Sequence, residues 1–278
     1  MTRLKTPLRY PGGKSKATTK MAPYFPPKND VKHYREPFLG GGSVALWMTQ
    51  NYDLESVWVN DLYWPLYNFW IHLRDHGETL SNALYETKKN YDTVDKCREL
   101  FEISKKELND KDATNIEKAI NFWIVNKCSF SGLTESSSFS AAASQGNFTL
   151  KGIEDLKEYS KLIKNWKITN ESYENLLERQ SEDTFIYLDP PYEISSNLYG
   201  RKGAMHKGFD HDLFAQHCRD ASVMVNMAIS YNADQSVKDR FPDWNQIEFP
   251  LTYTMRSNSA NYRKNQPKRM ELLLTNYD

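Results

Sequence analysis

The apolar positions of this 278-residue chain follow two rhythms, and the change of rhythm divides it. Short apolar runs of strand length precede Gly40 and recur at Ser56–Asn60, Trp166–Thr169, Phe185–Leu188, Met224–Ile229 and Met270–Asn276. Bounded by Gly, Pro, Asn and Asp, they read as strands of a largely buried sheet. From Tyr63 to Asn165 helical spacing takes over, in Glu78–Tyr91, Val94–Leu108 and Ile116–Lys127, with mixed charge on the solvated faces. Further helices are expected at Ser15–Tyr24, after Ser43, which is placed to cap it, and at Asp212–Ala221. The expectation is an α/β sheet carrying a helical insertion.

One strand ends abruptly. Phe185-Ile186-Tyr187-Leu188 runs into Asp189-Pro190-Pro191-Tyr192. Neither proline can donate to a ladder, and each fixes its own φ, so the strand stops there. Asp189 then stands at a strand's carboxyl end, where open α/β sheets bind ligands. A carboxylate, a peptide carbonyl and an aromatic ring held together suit one task. An exocyclic amino group on a heteroaromatic ring is a poor nucleophile, because its lone pair is delocalised. Two acceptors, Asp189 and the Pro190 carbonyl, bind its hydrogens and draw the nitrogen toward tetrahedral geometry, while Tyr192 stacks on the ring.

A second turn indicates a cofactor. The strand ending at Glu36 leads through Pro37-Phe38-Leu39 into Gly40-Gly41-Gly42, and Asp61 closes the next strand about twenty residues on, the usual place for a ribose-binding acid. Gly40-x-Gly42-x-x-Ala45 also fits a dinucleotide fingerprint, but Glu36 beside the glycines would repel a pyrophosphate. A cationic or zwitterionic ligand such as S-adenosylmethionine (AdoMet) suits Glu36 better. Gly13-Lys14-Ser15 is not a phosphate loop, because Leu8 stands where that loop requires glycine.

Composition adds little. Lys and Arg number 36, as do Asp and Glu, so no global charge announces a polyanionic partner. Locally, nine basic residues face one acid between Met1 and Arg35, and five face none between Arg256 and Arg269. Cys97, Cys128 and Cys218 lack metal-ligand spacing and read as buried thiols of a reducing cytoplasm; the histidines show no such spacing either, and no metal is assigned. With no signal peptide and no long apolar run, neither secretion nor membrane spanning is expected.

Tyr10-Pro11-Gly12-Gly13-Lys14, the Glu36–Val44 turn, Asp61 and Asp189–Tyr192 occur in the order of the Dam-type (D12 class, alpha group) DNA adenine-N(6) methyltransferases, which this chain resembles. Weaker echoes are Asn170–Tyr173, Ser230-Tyr231-Asn232 and the stretch 254–269. The resemblance implies a Rossmann-like AdoMet-dependent methyltransferase mixed sheet, its final strand antiparallel, built from residues 1–65 and 166–278, with a helical target-recognition insertion at 66–165. It implies that Tyr10, Lys14, Glu36, Phe38, Gly40, Gly42, Asp61, Ser172, Tyr173 and Asp189 hold the cofactor, and that Asp189, Pro190 and Tyr192 carry catalysis on a flipped adenine. Arg9, Asn126, Lys127, Phe130, Arg201, Lys202, Arg256 and Arg263 are the expected contacts to double-stranded DNA, made by a cytoplasmic monomer.

Between Leu133 and Leu150 the chain departs from the family pattern. Relatives that read GATC carry an arginine shortly after Gly-Leu; here no Arg or Lys occurs, and a polar run expected to be a disordered loop takes its place. A target other than GATC is expected. The other readings are an RNA adenine methyltransferase, a cytosine-N(4) methyltransferase (which usually has serine at the position of Asp189), a catalytically silent DNA-binding module, and last an NAD-dependent oxidoreductase.

Overall fold

The computed structural model describes residues 3–132, 137–178, 181–192, 208–251 and 269–278. Its centre is β4 (Thr184–Leu188), buried at every position, as the unbroken apolar run requires. On one side it pairs in parallel with β1 (His33–Glu36), followed outward by β2 (Ser56–Asn60) and β3 (Trp166–Thr169). On the other side lies β5 (Asn226–Asn232), also parallel, then β7 (Arg269–Thr275) and β6 (Asn245–Leu251), both reached by antiparallel pairing. The order is β3-β2-β1-β4-β5-β7-β6. The chain winds outward from β1, returns, and winds outward from β4, so the crevice between the carboxyl ends of β1 and β4 is the switch point where such sheets bind ligands.

The mixed sheet with its antiparallel last strand agrees with expectation, and β2 and β3 occupy the expected residues. β6 was not expected. Its sequence is polar at alternate positions and includes Pro250, which is tolerated because β6 is an edge strand. At the N-terminus, α1 covers only Thr18–Met21 and continues as a 3₁₀ turn, Ala22–Tyr24, rather than one helix from Ser15.

Apolar side chains cover both faces of the sheet. On one face Ile186, Leu188, Met227 and Leu272 meet Phe214 and Cys218 of α8 (His211–Ala221) and Val237 of α9 (Gln235–Arg240). On the other, Tyr34, Val59 and Phe185 belong to a cluster that runs on through α2 (Ser43–Asn51) into α3 (Trp64–Asn90) and α4 (Val94–Glu107). The same cluster includes α5 (Asn115–Cys128) and α7 (Leu150–Leu162). The segment 66–165 therefore shares its core with the sheet. No helix among the described residues is long and apolar enough to cross a membrane.

α3 is longer than its charged half suggests. Its first turns bury Leu66, Phe69, Trp70 and Leu73 beneath the sheet, with Pro65 in the first turn, where the missing N–H costs nothing. The helix kinks at His76 (φ −132°, ψ 29°). There α7 approaches so closely that a Cβ on Gly77 would lie 2.3 Å from Ser160 Cβ, and the Ser160 hydroxyl donates to the Arg74 carbonyl at 3.2 Å. A side chain bonding into the helix ladder is a recognised cause of kinks. Gly77→Ala should force α3 and α7 apart and cost about 1–3 kcal/mol, as overpacking does. Urea denaturation would show it as a lower midpoint, partly restored by Ser160→Gly in the same chain.

Candidate active site

The glycine turn after β1 is built by backbone shape and by close packing. Gly40 and Gly42 have φ of 50° and 67°, the left-handed region that side chains avoid. Space is also lacking: a Cβ on Gly40 would lie 2.9 Å from Tyr10 Cε1, and one on Gly42 would lie 2.7 Å from Trp70 Cζ2. Gly42 takes the N-cap position of α2, so Ser43 is the first helical residue and not the expected cap. Its Oγ instead pairs with Ser15 Oγ at 2.8 Å and ties the 10–15 turn to the glycines.

Three carboxyl groups converge here. Glu36 is 2% exposed and accepts from the Tyr34 hydroxyl at 2.5 Å. Burial pushes its carboxyl well above the usual range, and the charges of Asp189 and Asp61 add to that, against the opposing bonds from Tyr34 and the Ala45 backbone. Asp61 accepts from the backbone N–H of Gly40 at 2.8 Å and of Tyr63 at 2.9 Å, yet burial still lifts it to about 6. Asp189 accepts from Ser230 Oγ at 2.9 Å, and Lys14 Nζ lies 2.7 Å from Oδ1 and 2.8 Å from Oδ2. Lys14 is itself 4% exposed and also donates to the Gly12 carbonyl at 3.0 Å. Acids crowded together in a dry crevice favour a cation, and Lys14 supplies one.

Tyr10, Lys14, Glu36, Gly40, Gly42 and Asp189 line one cleft. Asp61 lies behind Gly40, which it holds in place. Phe38 and Tyr173 stack on each other at 5.4 Å, in an aromatic cluster with Phe209 and Phe214. Ser172 is exposed beside them and bonded to Glu174. Pro190 is buried, and Tyr192 donates its hydroxyl to Glu271 at 2.7 Å while its ring centre lies 4.9 Å from Lys14 Nζ.

Sequence reasoning missed several supporting groups. Asn60, 1% exposed, links the carboxyl ends of three strands. Its amide donates to the carbonyls of Pro37 and Glu171 and accepts from Thr169 Oγ1 and Glu171 N. The available signal was a polar residue closing an apolar strand just before Asp61. Glu271, flanked by Met270 and Leu272, is another, and Ser230, noted above only as part of an echo of the family, is the donor to Asp189.

On the helical side Asn126 needs correction. Expected to face DNA, it is 1% exposed, and its amide is engaged by backbone: Oδ1 accepts from Arg9 N at 2.9 Å, and Nδ2 donates to the carbonyls of Arg9 at 2.6 Å and Gly132 at 2.9 Å. It is a strut joining the segment 126–132 to the 9–14 turn. Arg9 Nη1 donates to the Ser129 carbonyl at 2.6 Å, and burial lowers the Arg9 pKa. Lys127 is half-buried; its pKa falls to about 8 through burial and the neighbouring Arg9 charge, and its ammonium lies 5.2 Å from the Trp123 ring centre. Phe130 is 49% exposed. Arg201, Lys202, Arg256 and Arg263 lie outside the described residues.

The run after Gly132, expected to be disordered, is ordered where it is described. Phe130 N donates to the Ser138 carbonyl and Ser140 N to the Cys128 carbonyl, both at 2.9 Å. The alanines form α6 (Ala141–Gly146), with Ser140 Oγ capping Ala143 N. Small residues suit a short helix packed close to α5, and the cap satisfies one of its free N–H groups.

The strut can be tested directly. Asn126→Ala leaves buried backbone groups of Arg9 and Gly132 without partners and should cost about 1–3 kcal/mol. Chemical denaturation reads this, and a variant as stable as the parent would remove Asn126 from the framework.

Comparison with known proteins gives the family. The family model described as D12 class N6 adenine-specific DNA methyltransferase matches residues 10–255. The type II methyltransferase M.MjaIII of Methanocaldococcus jannaschii is 25% identical over 197 residues, 67% of this chain and 68% of the relative. The type II methyltransferase M1.LlaDCHI of Lactococcus lactis subsp. cremoris is 24% identical over 97% of this chain and 94% of its own. Among solved structures, the putative methyltransferase yhhF from Escherichia coli overlays with TM-score 0.38 and 10% identity, over 99% of this chain and 92% of that one. The cleft at the switch point, with its glycine turn and its Asp-Pro-Pro-Tyr, lies within the matched residues, and this chain belongs to the D12 class N6 adenine-specific DNA methyltransferases.

Proposed function

We propose that the chain transfers a methyl group from AdoMet to the exocyclic amino group of an adenine flipped out of duplex DNA, at a target other than GATC. The observation that carries this is the crevice itself. Buried Glu36 and Asp61 stand beside the glycine turn, Asp189 stands across from them, and a nitrogen donor, Lys14 Nζ, already sits on both Asp189 oxygens and 4.9 Å from the Tyr192 ring centre. The residues fit AdoMet because carboxyls whose pKa values are raised by burial, and for Glu36 also by the charges of Asp189 and Asp61, gain from a cationic ligand. Glu36 would take its ammonium, Asp61 its ribose hydroxyls, and Phe38 with Tyr173 its adenine. AdoMet supplies an activated methyl group on a sulfonium.

The rest falls to the chain's own residues. Lys14 yields Asp189, whose Oδ1 stays held by Ser230, and the carboxylate and the Pro190 carbonyl accept from the target amino group. Asp189 is also the nearest base to receive a proton as positive charge builds on that nitrogen. Tyr192 stacks on the base and offsets part of the flipping cost, on the order of a few kcal/mol. Residues 66–165 carry target recognition. Phe130, an exposed aromatic, would stack on a base of the target, and Arg9 and Lys127 would meet phosphate or base edges. The chain acts as a monomer.

Three outcomes are expected. Asp189→Ala should abolish methyl transfer in a chain that still folds, at a lowered thermal midpoint because Lys14 loses its partner, measured with labelled AdoMet and by melting; persistent turnover would move the chemistry elsewhere. AdoMet affinity should tighten as pH rises through about 6, because Asp61 is protonated below that value and accepts from ribose hydroxyls more strongly once charged. Calorimetry across pH 5–7 reads this, and Asp61→Asn should flatten the slope. Finally, modified adenines should fall outside GATC, because the stretch from Leu133 to Leu150 has no Arg or Lys for the roughly 1–3 kcal/mol of discrimination that a bidentate guanine contact supplies. A methylome confined to GATC would overturn that specificity.

A further inference from the structure

Tyr192 leaves the rigid Asp-Pro-Pro turn with its own two side-chain torsions free, and a stacking platform must not rotate. Its hydroxyl is held. It donates to Glu271 Oε2 at 2.7 Å, across to a strand that lies two places from β4 in the sheet. Glu271 sits near the start of β7, paired with Asn232 on β5 and Phe249 on β6, so its backbone is fixed by ladders on both sides. Its side chain is 1% exposed. An acid buried between apolar neighbours is costly unless its oxygens are bonded, and a hydroxyl donating to a carboxylate is among the stronger hydrogen bonds. The Tyr231 ring supports the platform at 5.7 Å with a 30° interplanar angle, and its hydroxyl bonds to His211 Nδ1 at 2.7 Å.

The geometry points to Glu271 as a positioning residue for methyl transfer: its carboxylate holds the Tyr192 hydroxyl and so fixes the ring on which the target adenine stacks. This rests on the reading of Tyr192 as the base platform. Glu271 touches no substrate and acts on methyl transfer through Tyr192. A platform free to swing misplaces the base by a fraction of its own width, and misplacement of about 1 Å can cost on the order of a hundredfold in rate.

A double-mutant cycle tests it, using turnover of tritiated AdoMet on unmethylated plasmid DNA at saturating cofactor. Tyr192→Phe removes the bond and should lower kcat by about tenfold, and Glu271→Gln keeps shape and an acceptor but loses the charge and should lower it by about fivefold, in line with the gap between charged and neutral hydrogen bonds. The KM for AdoMet should not move in either variant. If Glu271 works through the hydroxyl, the double variant is no slower than Tyr192→Phe. Losses that multiply would make Glu271 a separate structural element and overturn the proposal. Tyr192→Ala separates the two levels. Near-normal turnover there would overturn the platform reading together with this proposal. A large loss in Tyr192→Ala with multiplying losses in the cycle would overturn the role of Glu271 alone.

Discussion

Glu36, Asp61 and Asp189 meet at the carboxyl ends of adjacent strands, in a crevice largely closed to water, and much of the surrounding structure answers to the cost of placing them there. Each acid is met by donors the fold supplies at that spot: the Tyr34 hydroxyl for Glu36, the N–H groups of Gly40 and Tyr63 for Asp61, and Ser230 and Lys14 for Asp189. These donors do not remove the strain on charge, since burial leaves Glu36 and Asp61 with raised pKa values. A crevice with unspent attraction for positive charge suits a sulfonium cofactor, and Lys14 is the cation that holds it meanwhile.

The glycine turn shows how the same crevice couples distant parts of the chain. Gly40 packs on Tyr10 and is bonded by Asp61, Gly42 packs on Trp70 of α3, and Trp70 Nε1 donates back to the Gly40 carbonyl at 3.1 Å. The helical segment is therefore seated directly on the glycine turn. Asn126 makes a second such joint between the segment 126–132 and the 9–14 turn. Gly132 belongs to it as well, because a Cβ there would lie 2.3 Å from the Arg9 carbonyl oxygen. A segment so joined to the glycine turn and the 9–14 turn cannot shift without disturbing the cleft that those turns line.

Charge around the Asn126 joint is placed sparingly. Arg9 and Lys127 are both partly withdrawn from water; burial lowers the pKa of each, and the Arg9 charge lowers that of Lys127 further. Groups like these gain more from a phosphate than fully solvated lysines do, because part of their hydration is already lost. The ordered segment from Ser137 to Gly146 brings no basic residue to that surface. Its contribution is shape, set by a capped short helix and by Phe139 packed on Phe101 at 5.7 Å.

How much of this was legible beforehand depended on whether the information was local. The ends of β2, β3 and β4, the helices with regular apolar stripes and the two glycine or proline turns were readable, because strand period, helix period and the constraints of Gly and Pro act over a few residues. The end of β4 at Asp189-Pro190 was readable for the same reason. Elements whose character depends on neighbours were not. β6 is a strand only because β7 pairs with it, the first half of α3 is aromatic-rich helix because a sheet covers it, and Ser43 lost the capping role to a left-handed Gly42. Asn126 looked like a surface contact until the chain 117 residues earlier was folded against it. Likewise the pairing of Tyr192 with Glu271 spans 79 residues, and the ion pair of Lys14 with Asp189 spans 175. The sequence by itself determined which residues could do the chemistry. Only the tertiary structure decided which of them face the crevice and which hold the others in place, because burial and hydrogen-bond partnership are properties of contacts between segments far apart in the chain.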